Sequence, residues 1–75
     1  MTESDEVTIG SQLRLLRDQR GWTRERLAVY ADVNPATIER IENKRHDPTL
    51  ATALKLAVAL EVPIGHLMGL KEVPR

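Results

Sequence analysis

The sequence lacks cysteine and phenylalanine, and its only aromatic side chains are Trp22 and Tyr30. Without cysteine, disulfide scaffolds, thiolate zinc sites and thiol chemistry are excluded. No run of about 18 apolar residues occurs, which excludes a membrane-spanning helix. The first six residues are acidic and have neither the basic nor the apolar segment of a secretory signal, so we expect a cytoplasmic location.

The formal net charge is zero, from eleven basic and eleven acidic side chains, but these charges are unevenly distributed. Residues 1–10 contain three acids and no base, whereas residues 11–46 contain eight bases and five acids. This pattern is compatible with an anionic partner such as nucleic acid, and also with a solvated charged surface. The two histidines lie far apart with no cysteine, so no metal site and no cofactor is predicted.

Apolar side chains recur at helical spacing, and the alternation typical of strands is absent. A first helix is predicted over residues 8–20, and Gly21 ends it. A fourth helix begins after Thr49, and a short fifth helix begins at Pro63. The predicted buried stripe of the fourth helix consists of Leu50, Ala53, Leu54, Ala57 and Leu60.

The second and third helices begin with clear capping signals. Thr23 and Asn34 are predicted N-caps, and Pro35 occupies the first position of the third helix, where its missing N–H costs nothing. Between the two helices lies a tight turn in which Asp32 can adopt a left-handed conformation. Two short helices joined in this way must cross steeply, as in a helix-turn-helix unit.

These positions carry the pattern of a known family. Its residues here are Gly21-Trp22-Thr23-Arg24, Leu27-Ala28, Val33-Asn34, Thr37-Ile38, Ile41-Glu42-Asn43 and Pro48-Thr49-Leu50. From about residue 9 to residue 70 the chain resembles the Cro and phage-repressor type of helix-turn-helix domain. The resemblance implies an all-α, compact five-helix bundle, a lambda-repressor-like domain that binds double-stranded DNA with its third helix in the major groove. Residues 1–7 and 71–75 are expected to be flexible tails flanking a domain of residues 8–70.

The resemblance implies that one set of side chains faces the base edges. Its members are Pro35, Ala36, Thr37, Glu39 and Arg40. Arg40 can bond bidentate to guanine, although an exposed helix charge would look the same. Ala36 could contact a thymine methyl group or simply favour the helix. Glu39 could accept from a cytosine amine, but a plain surface charge is the simpler interpretation.

A second set is implied to contact phosphates and a third to link the helices. The phosphate set is Thr23, Arg24, Asn43, Lys44 and Arg45. Arg24 stands where the family usually has a glutamine that binds phosphate and braces the recognition helix. Lys44 and Glu61 stand where glycine is usual in a left-handed turn. Arg17 and Glu42 match a pair that links the first and third helices.

An apolar surplus near the C-terminus predicts a homodimer interface, formed by Ile64, Leu67, Met68 and Leu70. We therefore expect a nucleoid-associated transcriptional regulator, acting as a repressor on a pseudo-palindromic operator and controlled by concentration, proteolysis or a regulatory protein partner. No catalytic motif is present, so an enzyme is not predicted. The alternative is a protein-interaction module, or an antitoxin-type partner, that retains the fold with weak or no DNA binding. Neutral net charge and the Pro35-Ala36 start favour that alternative.

Overall fold

The computed structural model describes residues 8–45 and 47–68 of the chain, and five α-helices with no strand form this part. The helices are α1 (Ile9–Gln19), α2 (Arg24–Ala31), α3 (Pro35–Glu42), α4 (Leu50–Leu60) and α5 (Ile64–Leu67). The predicted all-α class is confirmed, and each helix begins within a residue or so of its predicted start. The two predicted tails and Leu70 lie outside the described residues. None of the described helices has the length and apolarity needed to cross a membrane.

Side-chain caps define the helix starts, as predicted. The Thr23 hydroxyl accepts a hydrogen bond from the N–H of Arg26 at 3.0 Å, and the Asn34 side chain accepts one from the N–H of Ala36 at 2.8 Å. Thr49 caps α4 in the same way. These bonds satisfy N–H groups that have no partner within the helix. Helices of eight residues, such as α2 and α3, gain definite ends but still require packing to be stable.

Three residues other than glycine adopt left-handed backbone conformations at the turns. Asp32, Lys44 and Glu61 have φ values of 59°, 63° and 60°, as predicted for all three. Asp32 and Glu61 directly follow α2 and α4, so the chain reverses there without a glycine. This conformation costs about 1–2 kcal/mol for a residue with a side chain, so packing elsewhere must maintain it.

The helices enclose an aliphatic core. α1 packs against α3 and α5, α2 packs against α3 and α4, and α4 packs against α5. The largest fully buried side chains are Leu13, Leu27, Ile38, Ile41, Leu56, Leu60 and Leu67. In this arrangement α3 has α1 and α2 as its main neighbours, and the side that carries Pro35, Ala36, Glu39 and Arg40 is exposed.

The predicted buried stripe of α4 is partly wrong. Leu50 and Leu54 are 71% and 44% exposed, whereas Leu56, which was not predicted, is fully buried. α4 contacts α2 on one side and α5 on the other, and this packing buries the face that carries Ala53, Leu56 and Leu60. Because α4 is apolar almost all round, its sequence offers two possible stripes. Contacts with other helices decide between them.

The predicted dimer interface also needs correction, because Leu67 is fully buried in the core. α5 packs against both α4 and α1, and Leu67 belongs to the buried core cluster. It is therefore not available to a second chain. Ile64 is partly buried and packs against the same core, while Met68 is 42% exposed.

The crossing of α1 and α3 depends on the absence of a side chain at Gly10. A Cβ atom there would overlap the carbonyl oxygen of Ile41 and lie 3.3 Å from the Cα of Glu42. These are backbone atoms in the middle of a packed contact, so they cannot move aside as a flexible side chain would. Gly10 thus sets how closely α1 approaches the C-terminal half of α3.

We predict that Gly10→Ala lowers the free energy of unfolding by about 1–3 kcal/mol, because overlap with the α3 backbone outweighs the better helix propensity of alanine. Urea denaturation followed by circular dichroism measures the change. Gly65→Ala is the matched control, since a Cβ at Gly65 meets no atom within 4 Å. Equal stability of the two variants would contradict the close crossing.

Candidate nucleic-acid interface

The side chains expected to face bases occupy the outer surface of α3. Pro35, Ala36, Glu39 and Arg40 are exposed, and Thr37 is half-buried. The opposite face of the helix holds Ile38, Ile41 and Glu42, all buried. Small side chains therefore cover the N-terminal end of α3, and one long cation, Arg40, lies near its C-terminal end.

The residues expected to contact phosphates lie at two places next to α3. Asn43, Lys44 and Arg45 are exposed in the turn that follows the helix, where the N–H of Arg45 donates to the carbonyl of Arg40 at 2.9 Å. Thr23 and Arg24 lie at the start of α2. Arg24 contacts Glu42, the last residue of α3, so the start of α2 lies close to the turn after α3.

A buried carboxylate joins α1 to α3. Arg17 donates from Nε to Oε2 of Glu42 at 2.8 Å and from Nη2 to Oε1 at 3.1 Å. The Glu42 side chain is 1% exposed and that of Arg17 is 11% exposed. The structure thus brings the two members of the expected pair together in a bidentate geometry, which fixes orientation as well as distance.

Arg17 also contacts the turn between α1 and α2. Its Nη1 donates to the carbonyl oxygen of Trp22 at 2.7 Å, just before the Thr23 cap. The hydrogen bond with Glu42 raises the pKa of Arg17 above its ordinary value, although partial burial acts to lower it. The guanidinium is therefore a permanent charge that links α1, the start of α2 and the end of α3.

Sequence reasoning missed the second partner of Glu42. Arg24 donates from Nε to Oε1 of Glu42 at 3.0 Å, and its side chain is 34% exposed. The only sequence signal was the position itself, where the family usually has a bracing glutamine. The two arginines and the glutamate carry one net positive charge at the junction of α2 and α3.

Four cations lie on or next to α3, namely Arg24, Arg40, Lys44 and Arg45. The exposed acids nearby are Glu39 on the helix itself and Glu25 and Asp32, which line a shallow pocket with Pro35. No cluster of three acidic or histidine side chains that could hold a metal ion occurs in residues 8–45 and 47–68. His46 lies outside the described residues.

We predict that Glu42→Gln lowers the free energy of unfolding by about 3 kcal/mol or more, because it leaves Arg17 partly buried without its counter-charge. Urea denaturation tests this prediction. Glu39→Gln is the control, since Glu39 lies exposed on the same helix, and we expect a change within about 0.5 kcal/mol. If the two variants were equally stable, the buried pair would not support the fold.

Comparison with known proteins agrees with the helix-turn-helix fold. The chain matches the HTH_3 helix-turn-helix family over residues 13–67. It is 52% identical over 61 residues to the HTH-type transcriptional regulator RghRB of Bacillus subtilis, and 50% identical over 62 residues to the HTH-type transcriptional repressor RghR of the same organism. These stretches cover 80% and 81% of this chain but 44% and 46% of the two relatives. The chain therefore spans less than half the length of these relatives.

A solved structure resembles the whole domain. The restriction-modification controller protein C.AhdI from Aeromonas hydrophila superimposes with a TM-score of 0.78 at 31% sequence identity, covering 87% of this chain and 98% of that one. The family match spans both helices of the motif, the buried pair and most of the core. On this evidence the chain belongs to the HTH_3 family of helix-turn-helix domains.

Proposed function

We propose that this protein is a sequence-specific, double-stranded DNA-binding transcriptional regulator that acts as a repressor. The observation that carries the proposal is the exposed face of α3. The buried Glu42 on the opposite face fixes the orientation of the helix, and Arg24, Lys44 and Arg45 flank it. The names of its relatives, which include a transcriptional repressor, point the same way. Because such a regulator acts on chromosomal DNA, the proposal includes a location on the nucleoid, in the cytoplasm.

In this proposal α3 enters the major groove. Arg40 makes the principal base contact, because its planar guanidinium can bond both O6 and N7 of guanine. Ala36 and Pro35 are small enough to let the helix approach closely, and Ala36 can contact a thymine methyl group. Thr37 and Glu39 border the same face and complete the base-reading set.

Phosphate contacts fix the position of α3 in the groove. Arg24 and Thr23 contact one phosphate from the start of α2, and Lys44, Arg45 and Asn43 contact another from the turn after α3. These contacts are independent of sequence and supply most of the non-specific affinity. A neutral protein can therefore bind DNA, because only the local charge at the interface matters.

Repression is the simpler mode of action, since a small domain bound at a promoter occludes it. The competing proposal is a protein-interaction module, or an antitoxin-type partner of another protein, with little affinity for DNA. The neutral net charge favours it. Binding to random duplex DNA in a salt series separates the two. Three cations in each protomer of a dimer give a slope of log K against log salt of roughly −5, whereas an interaction module shows no such binding.

We predict that Arg40→Ala weakens binding to the preferred operator by about 1–3 kcal/mol and relaxes selection at one base pair in each half-site. In vitro selection of duplexes defines the operator, and titrations against operator and random DNA give the two affinities. The control is Arg24→Ala, which should weaken binding to both DNAs alike and reduce the salt slope by about one per protomer. An unchanged ratio of operator to random affinity in Arg40→Ala would show that specificity lies elsewhere.

We also predict a symmetric homodimer, in which the two α3 helices lie about 34 Å apart and match half-sites one helical turn apart. Among the described residues that were expected at the interface, Met68 is exposed and Ile64 is only partly buried, so both can contact a second chain. Sedimentation equilibrium, free and with operator, should report a dimer, and Met68→Glu should weaken it. A single protomer per operator at high micromolar concentration would contradict the prediction.

A further inference from the structure

The Glu42 carboxylate is shared unequally between two arginines. Arg17 takes both oxygens and is itself nearly buried, whereas Arg24 donates only through Nε and remains one-third exposed. Among the described residues, no hydrogen bond reaches either Nη group of Arg24. One edge of this guanidinium is therefore fixed against the protein, and the rest is free to bond an external anion.

The place of Arg24 in the fold is electrostatically unfavourable unless something compensates. It is the first residue of α2, and a cation at a helix N-terminus faces the positive end of the helix dipole. It also lies beside the permanent charge of Arg17. The exposed Glu25 lies in the same first turn of α2, but Glu42 is the acid that Arg24 bonds directly. A bound phosphate oxygen would add another negative charge.

We propose that Glu42 is a positioning residue for DNA binding, which acts by holding the Nε edge of Arg24 so that the Nη groups face a backbone phosphate. This inference rests on the function proposed above and adds a mechanism to it. The same carboxylate that orients α3 through Arg17 also orients a phosphate contact on α2. The pose of the base-reading helix and the contact that anchors it are thereby set by one buried group.

Lysine cannot reproduce this arrangement. Its ammonium is a single point charge on a flexible stem, whereas the guanidinium offers several N–H groups in a fixed fork. A lysine at position 24 can pair with Glu42 or reach a phosphate, but one ammonium cannot present two separate edges. Arg24→Lys therefore removes the positioning while keeping the charge.

The experiment compares Arg24→Lys with Arg26→Lys on random duplex DNA at low salt, at a temperature where circular dichroism shows both variants fully folded. Arg26 is exposed on the same helix, and within the described part of the chain its side chain forms no hydrogen bond or ion pair with Glu42. We expect about five- to tenfold weaker binding for Arg24→Lys and wild-type binding for Arg26→Lys. Equal affinities of the two variants would overturn the inference.

A second measurement separates positioning from a purely structural role of Glu42. If Glu42 acts on DNA binding through Arg24, Glu42→Gln weakens binding of the folded wild type but has a smaller effect in the Arg24→Lys background. The same fold-change in both backgrounds would mean that Glu42 acts only through Arg17, and the inference would fail. Should Glu42→Gln not fold, Glu42→Asp takes its place in the same comparison, because it keeps the charge and withdraws the carboxylate by one methylene group.

The outcome also distinguishes this inference from the proposed function. A wild-type protein without salt-dependent binding to duplex DNA would contradict the proposed function and, with it, the positioning role. A wild-type protein that binds DNA, with Arg24→Lys equal to Arg26→Lys, would leave the function standing and reject the positioning role alone.

Discussion

The Glu42 carboxylate lies almost wholly out of solvent and accepts hydrogen bonds from two guanidinium groups. A lone buried carboxylate would cost several kcal/mol, so this group can be buried only because Arg17 and Arg24 surround it. Such clusters seldom add more stability than apolar side chains of the same volume would. Their value here lies in geometry. The fork of Arg17 and the edge of Arg24 meet the carboxylate from fixed directions, so α1, α2 and α3 are oriented together.

This interaction depends in turn on the close contact of α1 and α3. Gly10 allows the backbone of α1 to approach Ile41 and Glu42, and α1 then delivers Arg17 to the carboxylate. The hydrogen bond from Arg17 to the carbonyl of Trp22 fixes the turn that leads into α2. The ring centroids of Trp22 and Tyr30 lie 4.8 Å apart, so the two rings pack together. The start of α2 is thus held by contacts with α1 and α3 in addition to its own Thr23 cap.

The sequence allowed the local features to be predicted because their causes are local. Caps at Thr23 and Asn34 and the left-handed turn at Asp32 depend on neighbouring residues. The errors concern contacts between distant segments. The stripe of α4 was assigned partly to Leu54 instead of Leu56, because an almost uniformly apolar helix has no preferred face until neighbours are chosen. Leu67 was assigned to an interface because an apolar side chain alone does not show whether it packs in the core or against a second chain. The contact of Arg24 with Glu42 spans 18 residues, and the position of Arg24, where the family usually has a bracing glutamine, does not reveal which residue it pairs with.

On α3, the buried residues that maintain the fold are separate from the exposed residues. Ile38, Ile41 and Glu42 fix the helix from its buried side, whereas Pro35, Ala36, Glu39 and Arg40 contribute little to the core. Substitution at exposed positions away from caps usually changes stability by less than about 0.5 kcal/mol. The base preference proposed for α3 can therefore change at Glu39 and Arg40 with little effect on folding, provided that the buried face and the Glu42 cluster are kept. The phosphate contact proposed for Arg24 does not share this freedom, because Arg24 also belongs to the cluster that orients the helices.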